Sequence, residues 1–319
     1  MASLTPTQTT KLGELYIGKS EELLTEELGQ KLKGKVQLIF TSPPFPLNVK
    51  KRYGNLQGDE YIEWFSNFAP IFADLLTDNG SIVIELGNAW EPQKPIQSLL
   101  PLQALMNFVQ HKDARLSLCQ EFICHNPTRL PSPAQWVTIE RVRLTDSYTH
   151  VWWMARNERP KADNRKVLRP YSNSTLAMQQ NGKFNDGIRP SGHHISKNSF
   201  LKNNGGSIMP NLIEIEPVDP DKPARLPGNA FSISHTVSND YYMRTCQERN
   251  VSPHPARMPL QLVDFFVQFL TDPGDLVLDP FAGSNATGFC AESTARKWIA
   301  IEADPKFAVH TEIRFSQTD

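Results

Sequence analysis

Residues 275–288 read DLVLDPFAGSNATG, and this stretch decides the fold. It starts as an apolar strand predicted over 275–279 and ends on an acid, Asp279. It then turns through Pro280, Phe281, Ala282, Gly283, Ser284 and Asn285 and enters a helix predicted over 286–294. A small-residue turn between a strand and a helix is where an open α/β sheet meets its ligand. Gly283, lacking Cβ, lets that ligand approach the backbone closely. Working outward, the next strand is expected at Lys297–Glu302, and Glu302 stands at its end, about twenty residues beyond Asp279, where an acid binds ribose hydroxyls.

This pairing points to a cofactor containing adenosine. The dinucleotide fingerprint GxGxxG is absent, and so is the GK[ST] of a phosphate-binding P-loop. Asp279 beside the turn would repel a pyrophosphate, yet it can accept hydrogen bonds from an ammonium group. S-adenosylmethionine carries an ammonium and a sulfonium and no phosphate, so it fits the turn better.

Apolar periodicity extends the pattern in both directions. Strands are expected at 15–18, 36–40, 81–86, 116–124 and Tyr148–Ala155, and helices at 21–32, 97–110, 259–271 and 305–315. The most amphipathic helix runs through Tyr61, Trp64, Phe65, Phe68, Ile71, Phe72, Leu75 and Leu76, with Asp59 placed to cap it and Asp78-Asn79-Gly80 to end it. Alternating strands and helices without internal repeats predict a doubly wound, mostly parallel α/β sheet.

A second chemical signal lies near the amino terminus. The apolar run VQLIF stops at Thr41-Ser42-Pro43-Pro44-Phe45, where two prolines cannot continue a parallel ladder, so these residues leave the sheet at its carboxyl edge. An exocyclic amine of cytosine or adenine is a poor nucleophile because its lone pair is delocalised into the ring. The Ser42 hydroxyl and the Pro43 carbonyl can each accept one N–H of such an amine, favouring a pyramidal nitrogen. Phe45 can stack on the base.

The chain has 319 residues, 33 Lys or Arg and 34 Asp or Glu, giving a net charge of −1, which excludes a histone-like basic protein. The total hides an asymmetry, because residues 156–203 carry ten basic side chains against three acidic ones. Residues 156–251 are rich in Asn, Pro, Gly and Ser and are expected to be irregular, as either a solvated insertion or a DNA-reading one. No apolar run is long enough to span a bilayer and no signal peptide is expected, so the protein is expected in the cytoplasm, away from membranes. Four cysteines form no CxxC pair and are expected to be reduced; Cys119-Gln120 has a superficial likeness to a cytosine-C5 nucleophile but lies in a strand. His193-His194 lacks partners at metal spacing, so no metal site is expected.

Taken together, SPPF near one end and VLDPFAG near the other resemble the circularly permuted β class of S-adenosylmethionine-dependent DNA amino-methyltransferases, with a Rossmann-like sheet. LYIGKSEELL, SIVIEL, YTHVWWMARNERPK and HPARMP are similar to further motifs of that class, so the resemblance covers nearly the whole chain. It is closest to the PvuII-like group, in which SPPF usually accompanies cytosine-N4 methylation. The resemblance implies a base-flipping enzyme of a restriction–modification system acting on double-stranded DNA, with a cognate restriction endonuclease as functional partner. It implies one core built from residues 1–155 (catalytic) and 252–319 (cofactor), with residues 156–251 as target-recognition region. Ser42, Pro43, Pro44 and Phe45 would hold the flipped base. Asp279, Pro280, Phe281, Ala282, Gly283, Ser284 and Asn285 would line the cofactor, Glu302 its ribose, Tyr16 and Ser20 its adenine side, and His254, Pro255, Ala256 and Arg257 its methionine end. Many members have an acid where Lys19 stands, so no adenine contact is carried onto that side chain. DNA contacts are expected from Lys50, Lys51, Arg52, Arg165, Lys166, Arg169, Arg189, His193, His194 and Lys197.

Adenine-N6 methylation would use the same machinery with a different pocket. Two readings lie further off. A nicotinamide-dependent oxidoreductase would leave SPPF unexplained, and a non-catalytic DNA-binding protein would rest on the basic insertion alone.

Overall fold

The computed structural model describes residues 5–45, 56–183, 186–196, 201–214 and 235–316, the last stretch with side chains from residue 241. Lys50, Lys51, Arg52 and Lys197 lie outside the described residues.

The strands in chain order are β1 (Gln8–Thr9), β2 (Gly13–Ile17), β3 (Val36–Thr41), β4 (Leu76–Gly87), β5 (Ser117–His125), β6 (Tyr148–Ala155), β7 (Gly187–Ile188), β8 (His194–Ile195), β9 (Leu212–Glu214), β10 (Leu276–Asp279) and β11 (Lys297–Glu302). Nine of them form one sheet in the order β1-β2-β11-β10-β3-β4-β6-β5-β9, while β7 and β8 pair separately. From β2 to β4 the neighbours run parallel; β6 is antiparallel to both β4 and β5, so β5 points the same way as β4. The predicted doubly wound, mostly parallel sheet is therefore present.

The helices are α1 (Ser20–Leu23), α2 (Glu27–Leu32), α3 (Gly58–Ser66), α4 (Phe68–Leu75), α5 (Leu100–Val109), α6 (Asn173–Asn181), α7 (His235–Glu248), α8 (Leu260–Leu270), α9 (Ala286–Ser293) and α10 (Ala308–Phe315). One face of the sheet packs Ile39, Ile82, Ile84 and Trp152 against Leu28, Tyr61, Phe65, Phe72 and Phe108 of α2 to α5. The other packs Leu38, Phe40, Val83 and Val277 against Val263, Phe266, Phe289 and Phe315 of α8 to α10. The sheet is thus apolar on both sides, as continuous rather than alternating strands such as VQLIF require.

Several expectations need correction. The long amphipathic helix is two helices broken at Asn67, because Pro70 has no N–H to return to the Ser66 carbonyl. Asp59 lies in its first turn with Gln57 at the cap, and no side chain caps it. Asp78-Asn79-Gly80 belongs to β4, whose pairing with β3 shifts register there. The stretch expected to be irregular contains α6, β9 and α7; β9 pairs with β5, and Tyr242 and Cys246 of α7 pack against Ile313 of α10.

Candidate active site

β3 and β10 are neighbours, paired at Val277↔Leu38 and Leu278↔Ile39, so the loops that follow them leave the sheet side by side. Their strand ends are directly bonded. Thr41 Oγ1 donates to Asp279 Oδ1 at 2.7 Å, both side chains being buried. Asp279 Oδ1 also accepts from the Phe281 N–H at 3.1 Å, and Oδ2 accepts from Thr287 Oγ1 at 2.6 Å. Burial nevertheless pushes this carboxyl up to about 6, against the pull of those three donors. Asp279 thus organises its turn and ties it to the neighbouring loop.

The rest of the turn is held as tightly. Ser20, at the start of α1, donates to the Pro280 carbonyl, which joins the loop after β2 to the loop after β10. Glu302 Oε2 accepts from the Gly283 N–H at 2.8 Å and Oε1 from the Asp304 N–H at 2.9 Å; burial raises its carboxyl. Phe281 packs on Trp64 and Phe68. Ala282 N–H bonds to Ile301 O at 2.9 Å. Asn285 caps α9 through its Oδ1 to Gly288 N–H, and Ser284 O accepts from buried Arg314 Nε at 2.9 Å.

Gly283 has φ +53°, and a Cβ there would fall 2.9 Å from His254 Cε1. The His254 ring therefore rests on the backbone at Gly283. Its Nδ1 donates to Ala256 O at 2.7 Å, which fixes the tautomer, and its backbone N–H donates to Tyr242 Oη at 3.1 Å. The Tyr242 hydroxyl is also hydrogen-bonded to His310 Nδ1 at 2.9 Å, and burial lowers the His310 imidazole to about 4, keeping it neutral. Pro255, Ala256 and Arg257 are exposed beside this ring.

At the other loop, the Ser42 hydroxyl hydrogen-bonds the carboxylate of Glu85, which also accepts from Thr149 Oγ1 at 2.8 Å. Glu85 is buried near the end of β4, and burial raises its carboxyl despite both hydroxyl donors. Pro43 is buried, Pro44 half-buried, and the Phe45 ring lies on Gly87, where a Cβ would come within 2.5 Å of it. Glu85 was missed by the sequence reading. The one signal for it is an acid inside the apolar run SIVIEL, an expensive place for a charge without a task.

Tyr16 pairs with Ile301, one residue before Glu302, but its ring is buried under α1 and α2 and its hydroxyl turns back to donate to Glu14 Oε2 at 2.6 Å. Cys119 is a half-buried strand residue at the β5 register shift, with its thiol raised by burial and so unsuited to nucleophilic attack. Trp152 and Trp153 are core residues, as expected.

The basic residues divide. Lys166 binds Thr271 O at 3.0 Å and forms an ion pair with Asp272, while Lys161 bonds Asp275 at 2.7 Å; the two lysines lower the Asp272 carboxyl to about 2. These acids precede β10, so Arg165 and Lys166 lie at the amino edge, opposite the two loops. Arg165 pairs with its neighbour Asp163. The Lys166 ammonium is thus held by its partners, whereas the Arg165 side chain is exposed. Arg169 forms an antiparallel backbone bridge with Ser207. Arg189, His193 and His194 sit on or beside the β7–β8 hairpin, with both histidines exposed.

A family model described as DNA methylase, N6 and N4, matches residues 36–312. The type II methyltransferase M.PvuII of Proteus hauseri is 38% identical over 312 residues, covering 97% of this chain and 85% of that protein. The structure of PvuII DNA methyltransferase (cytosine-N4-specific) superposes with a TM-score of 0.72 at 33% identity, covering 98% of this chain and 89% of the other. The crystal structure of an M1.HpyAVI–SAM complex shares the fold, with a TM-score of 0.51 at 18% identity over 95% of this chain and 99% of the other. Among the described residues no helix is long and apolar enough to cross a membrane. With the two loop motifs bonded at one sheet edge and a family match spanning most of the sequence, this chain belongs to the N6/N4 DNA methylases.

Proposed function

We propose that the chain transfers a methyl group from S-adenosylmethionine to the exocyclic N4 amine of cytosine in a short sequence of double-stranded DNA, as the modification enzyme of a restriction–modification system. The observation that carries this reading is the hydrogen bond between Thr41 and Asp279, which sets the serine–diproline loop beside the glycine turn. The cytosine preference rests on the SPPF motif and on the similarity to M.PvuII. A cognate endonuclease and a cytoplasmic location follow from that role.

The turn suits the cofactor. Gly283 leaves backbone bare that a Cβ would block, and Glu302 retains acceptor lone pairs for ribose hydroxyls beyond its two amide donors. Ser284, Asn285 and His254, with Pro255, Ala256 and Arg257 next to it, would enclose the methionine end, and Ser20 would steady the turn through Pro280. The bound cofactor supplies an electrophilic methyl on a sulfonium.

The chain's own residues prepare the amine. The target base leaves the duplex at a cost of a few kcal/mol. Phe45 and the two prolines hold it flat, the Pro43 carbonyl accepts one N–H, and Ser42 Oγ accepts the other while its own hydrogen stays on Glu85. As the nitrogen gains the methyl it becomes cationic and must lose a proton. Ser42 takes that proton and passes its hydroxyl hydrogen to Glu85, whose burial makes it a better base than an exposed carboxylate.

The catalytic part would be residues 1–155 and the cofactor part 252–319. Within 156–251, the β7–β8 hairpin stands outside the main sheet and would offer Arg189, His193 and His194 to DNA, with Arg169 from the segment before α6. Incubation with labelled cofactor and mixed DNA, followed by nucleoside mass analysis and site mapping, tests the reading. N4-methylcytosine is expected; N6-methyladenine would favour the second reading, and no methylated nucleoside would reject both.

A further inference from the structure

The connection between β5 and β6, residues 126–147, lies outside every element assigned above. Because β5 points the same way as β3 and β4, this excursion emerges at the same sheet edge as Ser42 and Glu85. Its base is closed by Asn126 N–H to Ser147 O at 2.8 Å. Asp146 is fixed by Asn88 Nδ2 at 2.8 Å, and the Arg143 guanidinium lies 3.0 Å over the Trp90 ring. Arg129 Nη1 donates to Tyr148 O at 3.2 Å, one residue from the Thr149 that bonds Glu85, and its charge reaches the Glu85 carboxylate.

On this well-rooted element four aliphatic side chains face out. Leu144 is 88% exposed and Leu130 80%, both within a few residues of the closed base, and Ile139 and Val142 are exposed as well. Arg129 and Arg141 alternate with them. Bulky aliphatics set among arginines suit a duplex, whose phosphates attract the cations and whose base stack accepts apolar wedges where it is opened.

We propose that residues 126–147 form a duplex-contacting element in which Leu130 and Leu144 brace the base stack opened by extrusion of the target, with Arg129 and Arg141 on the flanking phosphates. The inference rests on the base-extrusion reading given above. A wedge lowers the cost of opening, so its removal should matter only while the target base is still paired.

The test uses the full chain and two duplexes carrying the mapped methylation site, one fully paired and one with an abasic position opposite the target cytosine. The exposed double variant Leu130→Ser/Leu144→Ser should bind S-adenosylmethionine like the wild type. Its kcat/KM should fall about tenfold or more on the paired duplex, the scale of a part of the unpairing cost, and less than about threefold on the abasic one. Leu130→Met/Leu144→Met should restore wild-type rates. Equal losses on both duplexes, no loss on either, or a loss accompanied by dissociation of a dimer in sedimentation would overturn the inference. If the wild type itself binds both duplexes equally, base extrusion fails first and the wedge with it; a wild-type preference for the abasic duplex with an unaffected double variant sinks the wedge alone.

Discussion

Thr41 Oγ1 donates to Asp279 Oδ1 over 2.7 Å, a contact between residues 238 positions apart in the chain. One carboxylate thereby shares its lone pairs between the base-side loop, through Thr41, and the cofactor-side turn, through Phe281 and Thr287. Neither loop can shift without disturbing the other, and a methyl transfer requires that register.

Thr41→Val keeps the shape and removes the donor. Loss of a hydrogen bond to a buried carboxylate should cost about 2 kcal/mol of stability by denaturant melts. Cofactor affinity and turnover should fall together, because both loops lose their tie. A change confined to one of them would contradict the coupling.

Ser42→Ala and Glu85→Gln should each lower kcat by roughly 100-fold or more, with the dissociation constant for S-adenosylmethionine nearly unchanged. Single-turnover methylation beside calorimetric cofactor titration makes the comparison. Parallel losses in binding and rate would place Ser42 and Glu85 outside the proton path.

Asp279 has a folded-state carboxyl raised by burial to about 6 from an ordinary value of 3.8. Its protonated form is favoured by the fold, so the contribution it makes to stability is full at acid pH and is lost as the pH rises through about 6, by about 3 kcal/mol in all. The stability of the wild type relative to Asp279→Asn should therefore shrink from pH 4 to pH 7. A difference that stays flat, or widens with pH, is the contrary result.

Gly283→Ala puts a side chain at φ +53° and 2.9 Å from the His254 ring. The left-handed backbone alone costs about 1–2 kcal/mol, and the ring must move off the turn. The cofactor dissociation constant should rise about tenfold or more, while far-UV circular dichroism remains that of the wild type. Unchanged affinity would remove this turn from the binding site.

Lys166→Met should lower the melting temperature and leave the salt dependence of DNA affinity unaltered, since Lys166 is bonded to Thr271 and Asp272 at the edge away from the site. A flattened salt slope would return it to the interface.

The local sequence determined the elements whose character is set by burial alone. Tyr148–Ala155 and Lys297–Glu302 were delimited to the residue, their apolar stretches VWWMA and WIAI being short and rich in residues that suit a strand covered on both faces. The two turns were legible as places where the chain leaves the sheet, since Gly283 acts through its backbone freedom and Pro43-Pro44 through the N–H groups they lack. Proline at position 70 broke a helix that periodicity alone had joined, a local effect outweighed in the reading by the long apolar stripe.

Partnership belonged to the tertiary structure. An apolar run records burial but neither direction nor neighbour, so the antiparallel entry of β6 between β4 and β5 was not readable, nor was the meeting of Thr149, Glu85 and Ser42 that it creates. A count of basic residues records charge but not its counter-ion, so Lys166 counted toward DNA contact without the Asp272 that the fold sets beside it. Backbone conformation and burial are written into a residue and its near neighbours. Hydrogen bonds and ion pairs between distant segments depend on positions in space, and only the packed sheet fixes those.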